Sequence, residues 1–173
     1  MLLSDRLKRV RAVICDIDGV LTDGGIGYGG DGEEIKFFDV KDGHGLKMLQ
    51  RAGLQVGFLS GRGSAANRTR AAELGVDFLV ERAKDKLEAF TRLLAERQLQ
   101  AEECLYVGDD VIDLPVMLRC GVAVAPADAV PEVLSRVHWT TKASGGHGVM
   151  REVSDTVLEA QGKKDEIMCR YLR

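Results

Sequence analysis

Short apolar runs and amphipathic segments alternate along this chain. Runs at 10–15, 55–59, 77–80, 104–107 and 121–125 have the length and makeup of buried strands. Segments with helical spacing lie between them, at 43–52, 64–74, 84–98 and 111–119. The third of these repeats apolar residues at Leu87, Phe90, Leu93 and Leu94. A last helix is predicted over 148–160, with Val149, Val153 and Val157 at i, i+4 and i+8 and Gly162 as its stop. This alternation predicts an α/β fold in a single domain over 1–173, a doubly wound parallel sheet with right-handed crossovers.

The pattern breaks between residues 19 and 40. Seven of the 20 glycines fall between Gly19 and Gly32. Ile26 and Tyr28 on one side, and Ile35, Phe37 and Phe38 on the other, flank Gly29-Gly30-Asp31-Gly32. The spacing predicts a β-hairpin flap over about 24–38, projecting beside whatever the first strand presents. After Gly162 a tail (162–173) follows, reading Lys-Lys-Asp-Glu-Ile-Met-Cys-Arg-Tyr-Leu-Arg from residue 163.

Composition narrows the possibilities. A chain of 173 residues suits one domain able to bury roughly 70% of its unfolded surface. The net charge of −3, with no basic tract, argues against a nucleic-acid partner. No apolar stretch approaches the roughly 18 residues that span a membrane, and the first residues lack the apolar core of a signal peptide, so a cytoplasmic location is expected. Cys15, Cys104, Cys120 and Cys169 form no Cys-x-x-Cys pair, and His44, His138 and His147 are scattered, so a zinc site has little support.

Chemistry gathers where the apolar runs end. Residues 13–19 read Val-Ile-Cys-Asp-Ile-Asp-Gly, and a buried strand has no structural use for Asp16 and Asp18 at its tip. A turn at Gly19 lets both acids approach one point. Unpaired, they would repel and one would keep its proton. A hard divalent cation such as Mg²⁺ removes that conflict. The run at 55–59 ends in Ser60-Gly61-Arg62, a hydroxyl placed to donate to an anion beside the N–H groups that open the next helix. Lys84 and Lys86 both stand at the start of the 84–98 helix, against the dipole preference, which implies a nearby anion for one of them. The run at 104–107 ends in Gly108 and three acids within five residues, Asp109, Asp110 and Asp113. In an open parallel sheet these ends share the edge where ligands bind. Nucleophile, cation and donors for phosphate oxygens together describe a phosphoryl-transfer site.

The ordered set resembles the four motifs of the haloacid dehalogenase superfamily of phosphohydrolases, over residues 10 to about 125. Longer matches extend the likeness to nearly the whole chain: Asp-Ile-Asp-Gly-Val-Leu-Thr-Asp-Gly at 16–24, Phe-Asp-Val-Lys-Asp-Gly-His-Gly at 38–45, Leu-Ser-Gly-Arg at 59–62, Asp-Lys-Leu at 85–87, Tyr-Val-Gly-Asp-Asp-Val-Ile-Asp-Leu-Pro-Val-Met at 106–117 and Gly-Gly-His-Gly-Val-Met-Arg-Glu at 145–152. These stretches resemble the 3-deoxy-D-manno-octulosonate 8-phosphate phosphatase family. The resemblance implies a haloacid dehalogenase-like Rossmannoid with a flap and no cap domain, since neither 19–59 nor 60–86 leaves room for one. It implies Mg²⁺-dependent hydrolysis of that sugar-acid phosphate through an aspartyl phosphate, in lipopolysaccharide precursor synthesis. It also implies a homotetramer whose flap and tail meet neighbouring sites.

By the same resemblance, Asp16 is nucleophile and Mg²⁺ ligand. Asp18 binds the metal through its backbone carbonyl, and its side chain is general acid and then base. Asp109 is the second carboxylate ligand, supported by Asp110 and Asp113. Ser60 and Lys86 hold the phosphate, the Asp-Lys-Leu match selecting Lys86 over Lys84. Asp39, Val40, Lys41, Asp42 and Gly43 line the sugar pocket with Lys47, Arg62 and Arg70, whose charges suit the substrate carboxylate. One departure is His147, which stands where the family usually has Arg. Ser60-Gly61-Arg62 favours the eight-carbon substrate over a nine-carbon ulosonic acid 9-phosphate, whose phosphatases have Glu in place of that Arg. Intact Asp16, Asp18, Lys86 and Asp109 argue against a related non-catalytic tetramerising module. A phospho-signalling receiver domain would carry its phosphorylated Asp on a middle strand, and an Asp-x-Asp nucleotide-sugar transferase would leave Ser60, Lys86 and Asp109 unexplained.

Overall fold

The computed structural model describes residues 1–172. A short helix, α1 (Leu3–Lys8), leads into β1 (Ala12–Cys15), and the hairpin strands β2 (Gly27–Tyr28) and β3 (Glu34–Ile35) follow. The chain then runs through α2 (Val40–Arg51), β4 (Gln55–Leu59), α3 (Ala65–Leu74), β5 (Phe78–Val80), α4 (Lys86–Arg97) and β6 (Cys104–Val107). It closes with α5 (Leu114–Met117), β7 (Val122–Ala125), α6 (Pro131–Leu134), β8 (Trp139–Thr140), α7 (Val149–Ala160) and α8 (Lys164–Cys169). Six strands pair in parallel in the order β5-β4-β1-β6-β7-β8. β1 is therefore central, flanked by β4 and β6, and the three strand ends that carry the predicted chemistry lie side by side.

Alternation along the strands divides the core in two. Val13, Cys15, Val56, Phe58, Leu105 and Val107 face a layer built on α2 and α7, with Leu46, Leu49, Val153 and Val157. Ala12, Ile14, Leu59 and Tyr106 face the opposite layer, where α4 and α5 supply Phe90, Leu93 and Val116. Each large side chain buried this way contributes roughly 1.5–3 kcal/mol. The continuous apolar runs follow from having both sheet faces covered, so the doubly wound architecture is the observed one.

Several boundaries move, each for a local reason. α2 starts at Val40 rather than 43, because the Asp39 carboxylate accepts from the Lys41 N–H at 2.7 Å and caps it. α4 starts at Lys86, where Asp85 accepts from the N–H groups of Leu87 and Glu88 at 2.9 and 3.0 Å. The helix predicted over 111–119 is instead a 3-10 turn (Val111–Asp113) followed by α5, since Pro115 has no N–H to continue a helix from 111. The flap pairs only Gly27 with Ile35 and Tyr28 with Glu34, less than its predicted span. The tail is not without structure: α8 buries Ile167 in the core, and Lys163 Nζ donates to the Ala52 carbonyl at 3.0 Å. β8, α1 and α6 carried too short a pattern to be predicted. Among the described residues no helix is long and apolar enough to cross a membrane.

Candidate active site

The C-terminal edge of β1, β4 and β6 opens into a pocket of about 230 Å³ lined by Asp16, Asp18, Gly19, Gly24, Ser60, Gly61, Arg62, Asp109, Asp110 and Ile112. Asp16 leaves β1 with its N–H still donating to the Val107 carbonyl at 2.9 Å, so the sheet itself fixes its backbone. Gly19 then turns with φ +86°, and a Cβ there would lie 2.0 Å from Asp109 Oδ2. Only glycine lets the Asp109 carboxylate come this close to the loop. The loop is backed from below by Gly145, where a Cβ would lie 2.2 Å from the Gly19 carbonyl oxygen.

Beneath the pocket lies a buried charge network. Lys86 Nζ donates to Asp16 Oδ2 at 2.6 Å and to Asp113 Oδ1 at 2.7 Å. Asp113 is fully buried and also accepts from the Tyr106 hydroxyl at 2.6 Å and from the Asp109 and Asp110 N–H groups at 3.2 and 3.4 Å. Burial, then the Asp113 charge, pushes Asp16 up to about 6, against the pull of Lys86. Burial and the charges of Asp113, Asp16 and Asp110 push Asp109 up to about 7. Burial pulls Lys86 down, but the two carboxylates outweigh it and raise its affinity for the proton. Carboxylate oxygens of Asp16, Asp109 and Asp113 lie within 4.8 Å of one another. Hard oxygen donors crowded together with too little positive charge fit a divalent cation such as Mg²⁺. Asp113 has its oxygens taken by four donors, which leaves Asp16 and Asp109 facing the pocket.

The predicted site residues divide. Asp16, Asp18, Ser60, Arg62 and Asp109 meet at the pocket. Ser60 Oγ accepts from the Arg62 N–H at 3.1 Å, which tightens the turn after β4. Lys86, not the exposed Lys84, enters the site, from behind Asp16 rather than through the pocket wall. Asp110 is exposed and caps the 3-10 turn. The structure places the other sugar-pocket candidates elsewhere. Asp42 is 1% exposed and accepts from the N–H groups of Gly148 and Arg151 at 3.3 and 2.8 Å, capping α7. Burial pushes it up to about 6. Gly43 packs against Arg70, whose guanidinium lies over Phe38 at 5.6 Å and donates to the Asp39 carbonyl at 3.3 Å. Lys47 Nζ caps α3 through the Leu74 carbonyl at 2.8 Å. Asp39 is the cap of α2, and Val40 and Lys41 are exposed beside it. His147 is exposed and outside the pocket lining.

Three contributors were missed from sequence. Lys36, just past β3, donates to Asp18 Oδ1 at 2.6 Å. Glu34 pairs with Arg62, whose hydrogen bond holds the Glu34 carboxyl below its usual range. Tyr106 points its hydroxyl back from the strand to Asp113. The signal for Lys36 was its place between Ile35 and Phe37, a lone cation in an apolar run.

The chain matches a family model for haloacid dehalogenase-like hydrolases over residues 33–121. A 3-deoxy-D-manno-octulosonate 8-phosphate phosphatase from Yersinia pestis is 44% identical over 158 residues, spanning 91% of this chain and 84% of that protein. The Escherichia coli K12 protein of the same description is 42% identical, over 93% and 86% of the two chains. The crystal structure of the Moraxella catarrhalis phosphatase, in complex with a magnesium ion, a phosphate ion and a KDO molecule, superposes with a TM-score of 0.94 at 32% identity, covering 97% of each chain.

Proposed function

The chain belongs to the haloacid dehalogenase-like hydrolases and, within them, to the 3-deoxy-D-manno-octulosonate 8-phosphate phosphatase family, and from that premise we propose that it hydrolyses 3-deoxy-D-manno-octulosonate 8-phosphate to the free sugar acid and phosphate, a step of lipopolysaccharide precursor synthesis. The observation that carries this reading is the Asp16–Lys86 pair at 2.6 Å beside Asp109, at the floor of an open pocket. Asp16 attacks phosphorus and becomes an aspartyl phosphate. Lys86 holds the Asp16 carboxylate in one orientation and offsets charge as the phosphoryl group arrives. Asp18 gives a proton to the leaving sugar oxygen and then takes one from the attacking water. Ser60 donates to a phosphoryl oxygen. Asp16 and Asp109, with the Asp18 backbone carbonyl, would hold Mg²⁺, which when bound neutralises the gathered carboxylates and the phosphate charge.

Arg62 stands at the pocket rim and suits the substrate carboxylate. Ile26, Tyr28, Phe37 and Val40 are exposed on or beside the flap. Exposed apolar residues of this kind support a homotetramer, in which the exposed Val40 and Lys41 serve an adjacent subunit's pocket. Light scattering at micromolar concentration tests this, and a monomeric mass would overturn it. For the reaction, phosphate release is measured across a panel of sugar phosphates with and without Mg²⁺. The eight-carbon substrate is expected to exceed simple hexose phosphates by at least ~10²-fold in kcat/KM. Equal rates on glucose 6-phosphate would leave only a generic phosphatase, and preference for a nine-carbon 9-phosphate would select that alternative.

A further inference from the structure

Among the described residues Arg62 is the one cation in the pocket lining, yet its guanidinium is already engaged. Arg62 Nη2 donates to Oε1 of Glu34, a residue of β3 in the flap. The Arg62 side chain is 46% exposed and the Glu34 side chain 13%. The cation of the pair therefore stands toward solvent at the rim, and the carboxylate is turned inward.

Glu34 does not depend on Arg62 alone. Its Oε2 is shielded from solvent, has no hydrogen-bond partner and lies 3.6 Å from Lys36 Nζ. An ammonium has three N–H donors, and Lys36 makes one hydrogen bond, to Asp18 Oδ1 at 2.6 Å. A movement of about 0.5 Å would bring Lys36 and Glu34 to ordinary hydrogen-bond length. Breaking an inward ion pair is costly when it leaves one charge without a counter-charge. Here Lys36 remains beside Glu34, and water reaches Arg62, so the pair can open at low cost.

The group that Arg62 holds is of the same kind as the one it would receive. A carboxylate of the flap and a carboxylate of the sugar acid ask for the same guanidinium donors. The contact also survives the reaction, because hydrolysis removes the phosphate and leaves the sugar's carboxylate in place. A strong hold on that carboxylate would bind substrate and product alike, without aiding the chemical step.

We propose that Glu34 is an internal competitor for Arg62: the substrate's carboxylate binds by displacing it, and Glu34 retakes Arg62 as the product leaves. The inference rests on the role given to Arg62 above. Lys36 holds Glu34 in the interval, and its bond to Asp18 keeps the flap fastened, so only the partner of one side chain changes.

The test measures the KM of the sugar-acid phosphate and of glucose 6-phosphate, and the inhibition constants of the free sugar acid and of inorganic phosphate. The enzymes are wild type, Glu34→Gln, Arg62→Ala and the double variant. Removing a competitor raises the fraction of Arg62 able to bind. In Glu34→Gln the inhibition constant of the free sugar acid and the KM of the sugar-acid phosphate should both fall about 3–5-fold, the hold of a partly exposed ion pair. The values for inorganic phosphate and glucose 6-phosphate, which carry no carboxylate, should not follow. In Arg62→Ala the sugar acid should bind more weakly, and adding Glu34→Gln should change nothing further. Should Glu34→Gln fail to fold, Glu34→Asp, one methylene shorter, should give the same pattern at smaller size. Weaker or unchanged binding of the sugar acid in Glu34→Gln, while Arg62→Ala weakens it, would overturn the competition and leave the role of Arg62 standing. Unchanged binding of the sugar acid in Arg62→Ala would overturn the role of Arg62 itself, and the inference with it.

Discussion

Asp16 and Asp42 are buried to nearly the same depth, 5% and 1% exposed, and burial pushes both up to about 6. Their surroundings differ. Both Asp42 oxygens accept backbone N–H groups at the start of α7, where a helix leaves its first donors without partners. The charge is spent on holding two helices together. Asp16 accepts from the Ile17 N–H at 2.7 Å and from Lys86 at 2.6 Å, and it faces a pocket shared with Asp109. Burial and a raised proton affinity therefore do not mark a functional acid in this molecule. The distinguishing feature is the crowding of three acids, Asp16, Asp109 and Asp113, whose carboxylate oxygens lie within 4.8 Å of one another.

The sharpest way to break the comparison is to remove each charge in turn. Asp16→Asn should lose at least ~10³-fold in kcat with the fold intact, whereas Asp42→Asn should keep most of its turnover in the folded fraction. A folded Asp42→Asn enzyme as inactive as Asp16→Asn would place Asp42 in the reaction.

Metal affinity sharpens the contrast further. Calorimetry should find Mg²⁺ binding lost in Asp109→Asn, retained in Asp42→Asn and retained in Asp18→Asn, because the ligand proposed for Asp18 is its backbone carbonyl. Loss in Asp18→Asn as complete as in Asp109→Asn would make that side chain a ligand.

Stability should show the reverse ranking. Asp42→Ala strips two partly buried N–H groups of their acceptor and should cost about 1–3 kcal/mol in urea unfolding, with little change in Mg²⁺ affinity.

The smallest expected effect is a pH slope. Folded Asp42 keeps its proton up to about pH 6, while an aspartate in the unfolded chain releases it near ~4. Between these values the native state holds more protons, so its stability falls as pH rises. The advantage of wild type over Asp42→Asn should be largest below about pH 4 and shrink up to about pH 6. A difference that grows with pH in urea midpoints would contradict the assignment.

The residues that sequence pattern located well are those whose role is written into one strand and its turn. Asp16, Ser60 and Asp109 each follow an apolar run, and a parallel sheet brings such ends to one edge whatever the details of packing. The helices on both faces follow for the same reason, because period and caps are local. Contacts between distant segments were decided only by the tertiary structure. Asp42 read as a pocket residue, and it became a cap only because α7, more than a hundred residues away, sets its first turn over it. Arg70 and Lys47 read as pocket cations for the substrate carboxylate, and the packing of α3 against α2 gives both of them backbone carbonyls as partners. Lys36 carried only the signal of a lone cation between Ile35 and Phe37 and Tyr106 almost none, since a lysine in a flap and a tyrosine in a strand have many ordinary uses. Their roles exist only because folding sets Nζ 2.6 Å from Asp18 and the hydroxyl 2.6 Å from Asp113. Hydrophobic periodicity is a property of neighbours in the chain, and it determines which elements form and which strand ends meet. The partner of a buried charge is a property of neighbours in space, and only the folded packing selects it.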